Sequence, residues 1–196
     1  VHAGSTTDTS YTVSNSGSQF NVNSVQTRQV TARNTPSVIN AVYNVRNFWD
    51  GRATDIFTGS TPFGDSDTCL NVSVYRNGGV VAESVRLQRA SLASQAVGPA
   101  LNSTEMSWAN RAWANLGQKL LSVPPLARQK VAADDSVLSA MANPDGNGLR
   151  PEWSYIALIQ AAFRDEYWSA PGVSDDGHTQ VERNFALFWG LSIQAY

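Results

Sequence analysis

Cysteine is almost missing from this chain: Cys69 is the only one in 196 residues. That excludes a disulfide within the chain and leaves no thiolate set for a metal site. Cys69 therefore reads as a small, semi-buried apolar residue rather than a reactive thiol. Histidine is nearly as scarce. His2 and His178 are possible iron or metal ligands by type, but each stands alone among Gly, Ser or Asp, where an exposed imidazole is the plainer reading. Charged residues make up 15% of the chain, against about a quarter in ordinary soluble proteins. The net charge of −2 supplies no basic surface for a nucleic-acid partner. No apolar run reaches the roughly 18 residues of a membrane span. The opening VHAGSTTDTS has neither the basic nor the apolar stretch of a signal peptide.

What the chain does have is aromatic bulk, with six Trp, six Tyr and seven Phe. Low charge combined with that bulk implies extensive burial, in the chain's own core, against a large cofactor or against a partner segment. The length suffices for one sizeable core, or for one domain and part of another.

Residues 1–30 are rich in Ser, Thr, Asn and Gln without a clear period, and read as extended chain with a short strand near 19–26. Thr35-Pro36 resembles an N-cap followed by Pro at the first helical position. Val38, Ile39, Val42 and Tyr43 follow at helical spacing, which predicts a helix ending around 44–47. Residues 57–68 are loop by composition. The alternating run that carries Arg76-Asn77-Gly78-Gly79 predicts a β-hairpin within 70–88.

Further helices are expected over 113–122, stopped by Pro124-Pro125, from Pro151 onward with Trp153, Ile156, Ile159, Gln160 and Phe163 on one face, and from about 180 to the end. The last is apolar around most of its circumference, which suggests packing on something outside the chain. Asn143-Pro144-Asp145-Gly146-Asn147-Gly148 has part of a calcium-loop pattern without the rest, so a turn is the simpler reading. The sequons at Asn71 and Asn102 read as chance in a Ser/Thr-rich chain. The expected fold is mainly α, with a β-hairpin or loop inserted near 57–90.

Three blocks carry a resemblance. Arg33, Asn34, Pro36 and Ser37, then Phe48, Trp49, Asp50, Gly51, Arg52 and Ala53, match a pattern RN-x-P-(S/T)…FWDGRA. Gln95, Pro99, Glu105 and Met106 match Q-A-x-x-P…NP-x-EM at the right spacing, although Asn102-Ser103 stands where that pattern has Asn-Pro. The closing ERNFALFWGLSIQAY is similar to the last helix of a haem domain. Together these resemble the di-haem cytochrome c peroxidase superfamily. The insertion and the stretch 107–168 are closer in appearance to its larger, rubber-oxygenase-like members.

The resemblance implies a cytochrome c-like haem domain in a periplasmic or secreted bacterial oxidoreductase. The reaction it implies is peroxide reduction or oxygen-dependent cleavage of a small-molecule or polymer substrate. The family attaches haem c through C-x-x-C-H, and no such motif occurs here. One such motif precedes an HAG sequence in the larger members, and this chain opens with Val1-His2-Ala3-Gly4. The expectation is thus a fragment of the first haem domain lying between two attachment motifs, with the remainder of the same protein as partner; a relative that has lost its haems is the alternative. A haem-free binding module and a pure electron-transfer cytochrome are the rival functions.

By the same resemblance, Trp49 is an electron relay between haems, or else packs on a porphyrin edge. Asp50 and Arg52 form an ion pair that clamps its indole. Gln95 and Glu105 belong to the distal pocket. There a carboxylate can shuttle the proton that O–O cleavage needs, and an amide can orient peroxide. Helix capping beside Ser103 and Thr104 is the plain alternative for Glu105. Pro99 fixes their loop. Trp108 and Trp113 line the pocket or fill the core. Asn34 is a possible calcium ligand, or a helix-entry hydrogen-bonding residue.

Overall fold

A computed structural model describes residues 21–22, 25–26, 33–68, 72–107 and 110–196. Three two-stranded antiparallel ladders precede or interrupt five α-helices. The strands are β1 (Asn21–Val22) with β2 (Val25–Gln26), β3 (Arg46–Asn47) with β4 (Ala53–Thr54), and β5 (Val72–Arg76) with β6 (Gly79–Glu83). The helices are α1 (Ser91–Val97), α2 (Trp113–Leu121), α3 (Tyr155–Ala162), α4 (Gln180–Arg183) and α5 (Phe185–Ala195).

The expected mainly α fold is not what forms. Among the described residues helix accounts for 34% and strand for 11%, a mix of α and β joined by much irregular chain. Part of the reason lies at 36–47. Pro36 is there to start a helix, but the Ser37 hydroxyl accepts from the Ile39 N–H at 3.1 Å and Asn40 adopts a left-handed φ of 60°. Local side-chain bonds of this kind compete with helix. Only a 3₁₀ turn over Ala41–Tyr43 results. Val38, Ile39 and Tyr43, spaced for a buried helical face, are exposed instead.

The core gathers around α5. Phe57, Val72, Val74, Ala93, Val97, Trp113, Ile159 and Phe185 to Phe188 form one buried cluster. The aromatic rings interleave: Trp113 lies 6.5 Å from Phe185 and 6.3 Å from Trp189, and Phe163 lies 4.8 Å from Phe188. The apolar circumference of α5 thus has a partner within the chain, because α1, α2, Phe57 and Phe163 cover much of it. Two glycines allow the close approaches. A Cβ at Gly190 would stand 2.7 Å from Phe57 Cζ, and one at Gly117 would stand 2.9 Å from the backbone of Glu182.

Two buried amides seam the hairpin to this core. Asn184, at the joint between α4 and α5, accepts from the Ser73 N–H at 2.9 Å and donates to the Ser73 carbonyl at 2.7 Å, as a neighbouring strand would. It also donates to the Tyr167 carbonyl at 2.8 Å. Gln180 donates to the carbonyls of Ser73 and Glu166 and accepts from the Ala170 N–H, each at 2.8 Å. The hairpin is therefore built into the core rather than appended to it.

The start of α1 shows the same economy. Ala90 precedes it and has no side chain to cap with. Gln194 on α5 accepts from the Ala93 N–H at 3.0 Å and donates to the Arg89 carbonyl at 3.1 Å. The Trp189 indole donates to the Ala96 carbonyl at 3.1 Å.

The helix expected from Pro151 onward starts later, at Tyr155, whereas the closing helical stretch begins at Gln180 as expected. Pro151 lies in a turn, and Ser154 caps α3 by accepting from the Ala157 N–H. The run 143–148 is a closed turn, with the Asn143 N–H donating to the Gly148 carbonyl. Among the described residues, no helix is long and apolar enough to cross a membrane.

Replacing Asn184 by Ala strips three buried bonds and orphans the Ser73 N–H, so we expect a loss of about 2–4 kcal/mol in urea unfolding. Gly190→Ala should cost about 1–3 kcal/mol by overpacking against Phe57, read in the same experiment.

Candidate functional site

The β3–β4 ladder is closed by a tight turn over residues 48–52. Phe48 sits there with φ 64°, a left-handed conformation that a bulky side chain adopts rarely. The Phe48 N–H end of the turn is set by Asn47, whose buried amide donates to the Ala41 carbonyl at 3.1 Å. Ser91, at the start of α1, holds the same 3₁₀ segment through the carbonyls of Ala41 and Asn44. The turn is thereby fixed to α1. Trp49 at its tip is 96% exposed.

Asp50 and Arg52 do form the expected ion pair. The Arg52 guanidinium donates to both Asp50 oxygens, at 3.0 and 2.9 Å, and the Arg52 amide donates to Oδ1 at 3.2 Å. The aromatic residue they clamp is not Trp49, however. The guanidinium lies 3.9 Å from the centre of the Phe48 ring, and that ring rests against Gly98 at the end of α1. Phe48 faces inward as the anchor, and Trp49 faces outward.

Beyond Gly98, Pro99 opens a 3₁₀ turn through Leu101. Asn102 then organises the loop: its side chain accepts from the Thr104 N–H, and its carbonyl accepts from the N–H groups of Glu105, Met106 and Ser107. Glu105 is held by this turn and caps no helix. Its carboxylate is 14% exposed and meets two guanidinium groups at a single oxygen. Oε1 lies 2.9 Å from Arg33 Nη1 and 3.6 Å from Arg52 Nη2. Oε2 is buried and has no hydrogen-bond partner among the described residues.

Gln95 is 4% exposed and donates to the Ser37 carbonyl at 3.3 Å. Two long-range contacts, Gln95 to Ser37 and Glu105 to Arg33, thus draw the segment 33–37 across α1 and the 99–107 loop. The structure brings Gln95, Pro99, Glu105, Asp50 and Arg52 into one neighbourhood, with Trp49 at its edge. Trp113 belongs to the core. Trp108, Cys69 and His2 lie outside the described residues.

Asn34 is exposed, and no group of three or more His, Cys, Asp or Glu that could hold a metal occurs among the described residues. His178 lies 3.6 Å from Glu182 at the start of α4, away from this cluster in the chain. A hollow of about 430 Å³ lined by Val80, Ser174, Asp175, Asp176 and Arg183 shares no residue with the cluster, and its arginine is already engaged by Asp176 and Ser174.

Sequence reasoning missed two contributors. Arg33 and Phe48 both stand in the first motif, but the motif assigns neither of them a role. The pairing of Arg33 with Glu105 spans 72 residues, and no local spacing announces such a contact.

A porphyrin needs a broad apolar cover and a few polar groups near its centre. Ile39, Tyr43, Val45 and Trp49 are all exposed within one short stretch, and Met106 is exposed beside Glu105. Exposed apolar side chains of this kind are what the cover of a porphyrin requires, and Glu105 is the carboxylate nearest to them in the 99–107 loop by sequence.

Asp50 is held below its ordinary value of 3.8: desolvation, the largest single influence, acts upward, but the hydrogen bonds and charge of Arg52 outweigh it. The clamp is therefore complete above pH 3.8 and is released only as pH falls through the lower folded-state value. An NMR carboxyl titration should give Asp50 a midpoint below 3.8, and Arg52→Gln should move it back up.

A family model described as di-haem cytochrome c peroxidase matches residues 5–142. No curated protein and no solved structure matches the chain.

Proposed function

The chain belongs to the di-haem cytochrome c peroxidase family, a family of haem-dependent oxidoreductases, and from that premise we propose that it is the inter-haem part of a periplasmic or secreted peroxidase whose proton carrier is Glu105. The observation that carries this reading is the unequal state of the two Glu105 oxygens, one held by arginines and the other buried without a hydrogen-bond partner among the described residues.

When bound, haem supplies the iron that receives peroxide and the electrons that reduce it. The chain's own part is proton movement and orientation. Glu105 Oε2 takes the proton from the inner oxygen of the peroxide and returns it to the outer oxygen, which leaves as water. Gln95 has its amide N–H committed to Ser37, which supports a bracing role for it under the 33–37 segment. Pro99 and Asn102 fix the loop from which Glu105 projects. Trp49, presented by the clamped Phe48 turn, would offer an exposed indole as an electron relay once haem is bound. A chain without C-x-x-C-H takes its haem from attachment motifs elsewhere, in the remainder of the same protein.

The deciding experiment is peroxide turnover by the haem-loaded protein carrying Glu105→Gln. A fall of about a hundredfold or more, the scale of general acid–base catalysis, is expected. Unchanged turnover removes Glu105 from the chemistry. Substrate-dependent oxygen uptake in that same variant would then favour the rubber-oxygenase-like reading.

A further inference from the structure

We propose that Arg33 and Arg52 are positioning residues that select which oxygen of Glu105 exchanges the proton; this rests on the reading of Glu105 as proton carrier. A carboxylate has two equivalent oxygens, and rotation of its terminal torsion interchanges them. Here the equivalence is broken. Both guanidinium contacts fall on Oε1, at 2.9 Å from Arg33 and 3.6 Å from Arg52. Oε2 is left buried and, among the described residues, without a hydrogen-bond partner.

The two arginines differ in how firmly they are held. Arg52 is itself gripped by Asp50 and lies on the Phe48 ring, so it acts as a fixed post. Arg33 is 48% exposed and reaches over from the segment that Gln95 draws in. It supplies the shorter and better directed bond, of the charge-assisted kind. A half-turn of the carboxylate restores the same geometry with its two identical oxygens exchanged, but every intermediate rotation breaks the Arg33 bond, so one oxygen position stays turned away from the arginines. Fixing one atom matters because proton transfer demands donor and acceptor within hydrogen-bond reach, and small misplacements are expensive in rate.

The test uses the haem-loaded full protein with Arg33→Gln and Arg33→Lys, each made alone and in the Glu105→Gln background. Arg33 is on the surface, so its loss leaves the fold in place, which an unchanged thermal midpoint verifies. Arg33→Gln should lower kcat for peroxide about tenfold or more with KM unchanged, and Arg33→Lys should recover much of the loss. In the Glu105→Gln background, Arg33→Gln should change kcat by less than about twofold, since the two residues act as one unit.

A readout independent of turnover is the infrared carboxylate spectrum of Glu105, isolated by subtracting the Glu105→Gln variant. One-sided bonding spreads the antisymmetric and symmetric stretches, and Arg33→Gln should draw them together. The proposal is overturned if Arg33→Gln leaves both kcat and the stretches unchanged while Glu105→Gln still costs about a hundredfold, or if it lowers kcat equally in both backgrounds. Loss of the Glu105→Gln effect itself would instead overturn the assignment of Glu105 as proton carrier.

Discussion

The hydrogen bonding between the Asn184 amide and the backbone of Ser73 is the contact on which the arrangement of this domain rests. The inner strand of the hairpin enters the core with its peptide groups buried, and a buried peptide without partners is unaffordable. Asn184 supplies what a third strand would have supplied, and Gln180 adds a second donor to the same carbonyl. Because Gln180 opens α4 and Asn184 joins it to α5, satisfying Ser73 also fixes the entry of α5. That helix then orders α1, and α1 carries Gln95 and leads into the loop of Glu105. One amide thereby settles the relation of three otherwise separate pieces.

The site inherits its geometry from that frame through short polar ties. Ser91 and Asn47 hold the 41–44 segment, which holds the Phe48 turn, which rests on Gly98. Arg52 joins the turn to Glu105. Each tie is modest alone, and an exposed ion pair such as Asp50 with Arg52 contributes little to stability. Their value is geometric: they pass the placement of α1 on to an aromatic tip and a carboxylate that both lie in turns outside the helices.

Much of this was legible in the sequence, and the pattern of success has a physical reason. Gln95 on α1, Pro99 in the turn after it and Glu105 in the next loop are close in sequence, so a short helix and a loop fix their local separation. The Gly78 turn announced its hairpin, and the helix beginning at Trp113 was plain from its period and the prolines after it. The errors fell where side chains took over backbone bonding. Ser37 and Asn40 undid the helix that Pro36 would have begun. The apolar circumference of α5 looked unpartnered because Phe57, Ala93 and Trp113 come from distant parts of the chain. Arg52 was read against Trp49, its nearer attraction on paper, whereas the left-handed turn at Phe48 reverses which ring points inward.

The reliance of α1 on α5 has a consequence for biosynthesis. The bond from Ala93 to Gln194 closes over 101 residues, and loops of that length form late. The stretch bearing Gln95 and Glu105 must leave the ribosome well before the helix that caps and buries it exists. Until translation passes Gln194, the chain carries exposed Phe, Trp and Val with no core to enter. Such an interval favours aggregation, and it is the emergence of α5 that ends it.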